Sequence, residues 1–304
     1  MPVDLYYHAS AASRDRVFVS GGLSFKQGST SSLDQRATVF SAPIQADGVL
    51  GAWTESAQLP DPLVHHAMAV VDQRLFVAGG ELRRSFSKGV SSASLREDGT
   101  LGPWQTEAAL PQPRGWHALV AAGAELWVVG GSLDKGYFTT GTPELWRAKR
   151  SASRIEGWES IEAPSTLHFD QTPAVAMGRL YVTGAEGKLY SMALDAEHVW
   201  RTETSTPSWS GRSHGDDPRL DVVRLLAMED RLVLLLQQGR VLTAPLQAEG
   251  RVGPWSQASR MYGPGSGFTA SQGEDGRIYV FGGTSANPEE HRNARVWSSQ
   301  RLTP

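Results

Sequence analysis

A seven-residue pattern constrains this chain more than any other feature. It consists of a charged residue, four mostly aliphatic or aromatic residues and a pair of glycines. It reads Arg16-Val17-Phe18-Val19-Ser20-Gly21-Gly22 at first, and returns as Arg74 to Gly80, Glu125 to Gly131, Arg179 to Ala185 and Arg277 to Gly283. A degenerate copy, Arg231 to Gln237, has Leu236-Gln237 where the glycines stand elsewhere. The leading glycine positions 21, 79, 130, 184, 236 and 282 are separated by 58, 51, 54, 52 and 46 residues. A recurrence of this length identifies one supersecondary unit used repeatedly, each copy burying the apolar face of its neighbour.

Each unit divides into four strand-like pieces. The first begins near segments such as Ala67-Met68-Ala69-Val70, and the glycine-terminated strand is the second. The third alternates in hydropathy, as in Val39 to Ala42, Leu145 to Ala148, Leu189 to Met192, Val241 to Ala244 and Val296 to Ser299. Alternation with period two is the mark of a strand. The fourth carries a tryptophan after a turn: Asp47-Gly48 precedes Trp53, Asp98-Gly99 precedes Trp104, and Glu249-Gly250 precedes Trp255. These pairs supply the left-handed backbone of a tight hairpin. With Trp158 and Trp200, five of the 10 tryptophans share one repeated position, which implies sheet-to-sheet packing.

The glycine doublet after an aliphatic-aromatic strand, the aromatic of the third strand and the tryptophan of the fourth resemble the kelch-repeat family of β-propellers. The resemblance covers nearly the whole chain and implies an all-β, six-bladed, kelch-like propeller in a single domain, 1–304. The blades fall approximately at 8–58, 66–109, 117–163, 171–203, 221–259 and 268–302. Unit six has no tryptophan strand, so a closed ring with an incomplete last blade is expected. Met1 to His8 aligns with Leu59 to His66, the segment that follows a fourth strand elsewhere. Either blade six has three strands or residues 2–7 complete it, and some N-terminal contribution is favoured because closure protects sheet edges.

Composition excludes several functions. The formal charge of −3 is spread along the chain and offers no electrostatic case for a nucleic-acid or membrane partner. The absence of cysteine removes disulfides, thiolate metal sites and thiol nucleophiles, and with them the crosslinked radical cofactor of the galactose-oxidase-like branch of the resemblance. No cofactor is expected. No apolar run reaches the length of a membrane span. The start, Met1 to Tyr7, has neither the basic nor the apolar part of a secretory signal. It lies within the repeat pattern, so a leader removed earlier is compatible with it, and a cytoplasmic location is the default.

Alternating strand direction sends the fourth-to-first and second-to-third connections to one face. These are the long, irregular ones, so that face is the expected working mouth. Counting 13 residues back from each glycine position gives His8, His66, His117, Gln171, Val223 and Thr269. Three histidines on consecutive blades resemble a metal set, but a ring packed between blades, with a small residue following, is the preferred reading. The mouth residues expected to bind ligand are Tyr7, His8, His66, Arg83, Arg114, Trp116, His117, His168, Asp170, Arg212 and Tyr262. Aromatics mixed with a few charges suit a small polar molecule or a peptide. Candidates for acid–base chemistry are His66, Asp170 and His214.

The leading functional expectation is a binding or interaction propeller for a small polar molecule or peptide, with a protein partner also open. The alternative is an isomerase or mutarotase, resembling kelch-type sialic-acid mutarotases, or a tailoring enzyme using the same mouth. No Walker loop, HExxH or GxSxG motif occurs, so no motif assigns a reaction.

Overall fold

A computed structural model describes residues 1–26, 32–83, 85–133, 144–151, 154–164, 173–183, 188–195, 197–205, 224–236, 240–260, 267–273, 276–283 and 296–298. Among the described residues the regular structure is β apart from one turn of 3-10 helix at Ala248–Gly250. Sheet one comprises Ala9–Ala12, Arg16–Ser20, Thr38–Pro43 and Thr54–Gln58. Sheet two comprises Ala67–Val71, Arg74–Ala78, Val90–Ser94 and Gln105–Thr106, and sheet three Ala118–Ala122, Glu125–Val129, Leu145–Ser151 and Arg154–Ile161. Sheet four is built from Ala174–Ala176, Arg179–Thr183, Lys188–Ala193 and Trp200–Ser205, and sheet five from Arg224–Ala227, Arg231–Leu235, Arg240–Pro245 and Ser256–Arg260. The last sheet has three strands, Thr269–Gln272, Ile278–Phe281 and Val296–Ser298. Every sheet is antiparallel, and the molecule is an all-β propeller. Among the described residues five sheets are complete four-stranded blades, where six blades with the last incomplete were expected.

The first strands of successive sheets lie against one another, and that of the three-stranded sheet lies against that of sheet one. Apolar residues on both faces of each blade feed the interfaces between blades. Phe18, Leu75 and Val77 pack together between sheets one and two, while Phe76, Val128 and Trp146 do so between two and three. Burial from both sides explains why the second strands read as nearly continuous apolar runs, whereas a sheet with one wet face would alternate.

The repeated tryptophans bridge blades as the repeat implied. Trp158 Nε1 donates to the Ala108 carbonyl at 3.0 Å and Trp200 Nε1 to the Glu162 carbonyl at 2.9 Å, each reaching the preceding blade. Trp53 meets Phe281 edge-on at 6.0 Å. The turn glycines have the expected left-handed backbone, with φ of 77° at Gly48, 79° at Gly99 and 68° at Gly250.

The N-terminal segment contributes to the last sheet in a different way from a fourth strand. Leu5 is buried in a cluster with Tyr279 and Phe281, with Met1 and Val3 at its margin, and the Leu5 carbonyl accepts the Gly283 N–H at 3.4 Å. Leu63 and Arg114 hold the same relation to Gly22 and Gly80. Residues 1–5 therefore pack on the last sheet as a fourth-to-first connection, and no strand is formed there.

Candidate functional site

The glycine doublets generate the local geometry of the mouth. Gly21 and Gly22 have φ of 61° and 85°. A Cβ on Gly21 would stand 2.5 Å from the Leu63 carbonyl oxygen and 2.6 Å from His66 Cε1; one on Gly22 would stand 2.8 Å from His8 Cβ. The doublet is thus a double notch that receives the histidine of its own blade and that of the next one.

His8, His66 and His117 occupy these notches and are buried. His66 Nε2 hydrogen-bonds Ser20 Oγ at 2.9 Å, and His8 Nε2 hydrogen-bonds Thr269 Oγ1 at 2.9 Å. The place held by Ser20 in sheet one is held by Ala78 in sheet two, because Ala9 pairs with Ser20 as Ala67 pairs with Ala78. His117 accordingly has no hydroxyl to meet there, and neither of its ring nitrogens has a hydrogen-bond partner among the described residues. Burial pushes all three imidazoles down to about 3, so they stay neutral near pH 7. Each is spent on the interface it fills. His66, a candidate acid–base residue from the sequence, is enclosed between blades one and two and does not line an open site.

Strand register corrects the sixth member of the histidine series. Thr269 pairs with Phe281, a separation of 12 residues, against 11 for Ala9 and Ser20. The hairpin is one residue longer, so the position equivalent to His8 is Phe268, and Thr269 corresponds to Ala9. Phe268 is fully buried. Its carbonyl accepts the Arg224 guanidinium at 2.8 Å, and that guanidinium also lies 5.5 Å from its ring centroid.

Immediately before the histidines stand Tyr7, His65 and Trp116. All three have a left-handed backbone, with φ of 55°, 56° and 62°, a conformation that is unfavourable for bulky residues. A string of backbone hydrogen bonds holds them: the His65 N–H donates to the Tyr7 carbonyl and the Trp116 N–H to the His65 carbonyl, both at 3.0 Å. Their rings meet as a column. His65 stacks on Trp116 with centroids 3.6 Å apart and planes 21° apart. Tyr7 lies 4.6 Å from His65 and 5.3 Å from Trp116, and is 40% exposed. Gly267, at φ 67°, is the fourth member of this position, and a Cβ there would be 3.7 Å from Tyr7 Cε1.

Secondary β-pairing walls this column on three blades. Tyr6 bridges Leu23, Val64 bridges Glu81, and Gly115 bridges Ser132. A short hairpin, Leu23–Phe25 with Leu33–Gln35, rises from blade one. Its Gln35 Oε1 accepts the Arg83 N–H of blade two at 3.2 Å. Arg83 itself is exposed on this wall.

Arg114 does not present its guanidinium to the mouth. It is fully buried, donates to the Gly130 carbonyl at 2.7 Å, pairs with Glu144, and lies 4.0 Å over the Trp146 ring. It fastens the link into blade three. His168, Asp170, Arg212, His214 and Tyr262 lie outside the described residues.

On the opposite face a depression of about 500 Å³ lies beside Val175, Ala176, Met177, Ala227, Met228, Glu229, Gln272 and Gly273. These residues sit at the first-to-second-strand turns of sheets four, five and six. Sequence reasoning placed the long, irregular connections on the mouth face and missed this depression. Among the described residues, no helix is long and apolar enough to cross a membrane.

No family model matches the chain. It is 26% identical over 129 residues to beta-scruin of Limulus polyphemus, covering 42% of this chain and 13% of that protein. Against Kelch repeat and BTB domain-containing protein 12 of Danio rerio it is 25% identical over 142 residues, covering 45% and 22%. Alpha-scruin of Limulus polyphemus is 28% identical over 131 residues, covering 43% and 14%. The matches thus span less than a quarter of these relatives' own length. The solved structure of YjhT superimposes with a TM-score of 0.71 over 98% of each chain, at 11% identity. That likeness concerns the fold alone.

Proposed function

We propose that the chain, a propeller with kelch-repeat relatives, is a binding module which takes a small polar molecule or a peptide segment on the Tyr7–His65–Trp116 column. We read the three-stranded sheet as a sixth, incomplete blade that closes the ring and keeps this mouth rigid.

The single observation that carries the reading is the repeated left-handed backbone beneath three large rings. A glycine would occupy each position without strain, as Gly267 does. Instead, side chains that cost about 1–2 kcal/mol each in this conformation are kept and stacked into a partly exposed surface. Strain held at one end of a rigid scaffold is a pointer to function. Stacking between rings, at about 0.5–1.5 kcal/mol per pair, offsets part of it, and a flat ligand group would extend the column.

The test replaces Tyr7, His65 and Trp116 together by glycine, which suits the backbone at each site. The variant is expected to keep its melting temperature within a few degrees. A random peptide library and a glycan array are selected against both proteins. Ligands that bind the native protein and lose at least tenfold in affinity on the variant support the reading. Ligands that bind both equally, or no ligand from either collection, sink it.

A further inference from the structure

From the opposite face we infer that the chain has a second ligand site, one for an organic cation that carries an aromatic or aliphatic body. The site is the depression where the first-to-second-strand turns of blades four, five and six meet. Its volume, about 500 Å³, lies within the range of small-molecule pockets. It stands apart from the aromatic column, and neither site depends on the other.

Three features set the chemistry. Met228 is buried at the wall, whereas Met177 is 52% exposed. The two-residue turn Met177-Gly178, with φ of 47° and 68°, brings the Met177 thioether to the rim. Two thioethers beside Val175 and Ala227 form a soft apolar lining, and methionine sulfur makes favourable contacts with aromatic rings. Glu229 supplies the one formal charge among the described lining residues, and it is exposed.

The charges next to it do not cancel that carboxylate. Arg231 is engaged by Asp230 in a two-point pair, at 2.7 Å to Oδ1 and 2.6 Å to Oδ2. Among the described residues Glu229 forms no ion pair, so the pocket carries a local negative charge beside an apolar wall. Gln272 adds an amide that can accept from an ammonium group. An amine with an apolar body matches this arrangement, whereas a carboxylate would face Glu229 and be repelled.

The chain contains six methionines, which makes the site directly observable. The whole chain is labelled with ¹³C at the methionine methyl groups and titrated with phenethylammonium, 2-phenylethanol and 3-phenylpropionate. Saturable shifts of the Met177 and Met228 signals are expected, tightest for the ammonium and weakest for the carboxylate. Met68 and Met192, buried between blades, serve as unmoved references. Glu229→Gln, an exposed change that the fold tolerates, is expected to weaken the ammonium about threefold and the alcohol not at all.

Non-saturating shifts, equal response to all three probes, or an unchanged ammonium affinity in Glu229→Gln would each overturn the site. Probe binding that moves only the Trp116 indole signal would also overturn it, while leaving the mouth reading intact.

Discussion

At the scale of single residues, the histidines show how a side chain often associated with chemistry serves packing. His8, His66 and His117 have their imidazoles held down to about 3 by burial, against about 6.5 in an unfolded chain. Below pH 6.5 the unfolded state therefore binds protons that the native state refuses, and stability falls as pH falls towards 3. The loss is about 1.4 kcal/mol per pH unit for each histidine. Thermal melts between pH 7.5 and 4.5 are expected to show this slope, and His66→Gln should make it shallower; a flat profile would refute it. The interface partners can be tested separately. Ser20→Ala leaves His66 Nε2 without its hydroxyl and is expected to cost about 1–3 kcal/mol. Ala78→Ser gives His117 the hydroxyl that His66 already has, and a gain of about 0.5–1.5 kcal/mol is expected in denaturant titration.

At the scale of the strand, one charge network is reused between blades with changes of residue. In blade two Arg74 donates to Ser92 Oγ at 2.7 Å, and Ser92 donates to Glu107 Oε1 at 2.6 Å. The other Glu107 oxygen accepts the Ile155 N–H of the next blade at 2.8 Å. Blade four repeats this as Arg179, Ser191 and Glu203, with the Val252 N–H accepted at 3.2 Å. Blade three inverts the charges: Arg147 of the third strand pairs with Glu159 at 2.7 Å and Glu125 at 3.6 Å. Blade one keeps the arginine and the serine, with Arg16 donating to Ser41 Oγ at 3.2 Å, but has Ser56, 2.6 Å from Ser41, where blade two has Glu107. The charged residue that opens each repeat was legible in the sequence as a recurring feature. Its partners were not, because they lie on separate strands and vary in type. Glu107→Ala removes an acceptor shared by Ser92, the Ile155 N–H and Arg154 Nε, and a loss of about 2–3 kcal/mol is expected, checked by chemical denaturation. Glu159, whose carboxyl the Arg147 guanidinium holds below the usual range, is on the surface, and its replacement should matter far less.

At the scale of the molecule, the contact between the three-stranded sheet and blade one decides whether the propeller behaves as one unit. The contacts there are those of the other interfaces. Tyr279 Oη donates to the Gly48 carbonyl at 3.1 Å, as Tyr181 does to Gly250 at 2.6 Å. Ser10 and Ser271 meet at 2.8 Å. Tyr279→Phe combined with Thr269→Val removes the Tyr279–Gly48 link and the Thr269–His8 hydrogen bond and is expected to cost about 1–3 kcal/mol in total. A single unfolding transition, shifted as a whole in calorimetry, is the expected outcome; a separate early transition would show that the last sheet opens independently. The repeated stretches, the turn glycines and the tryptophan places were determined by the sequence alone, because strands and tight turns depend on neighbours a few positions away. Tertiary structure decided the rest. A hairpin one residue longer moved Phe268 into the histidine place, Arg114 turned inward to hold a carbonyl and a carboxylate, and three turns distant in sequence came to flank one open depression. These are relations between blades, and they depend on how the blades meet around the axis, which no local period encodes.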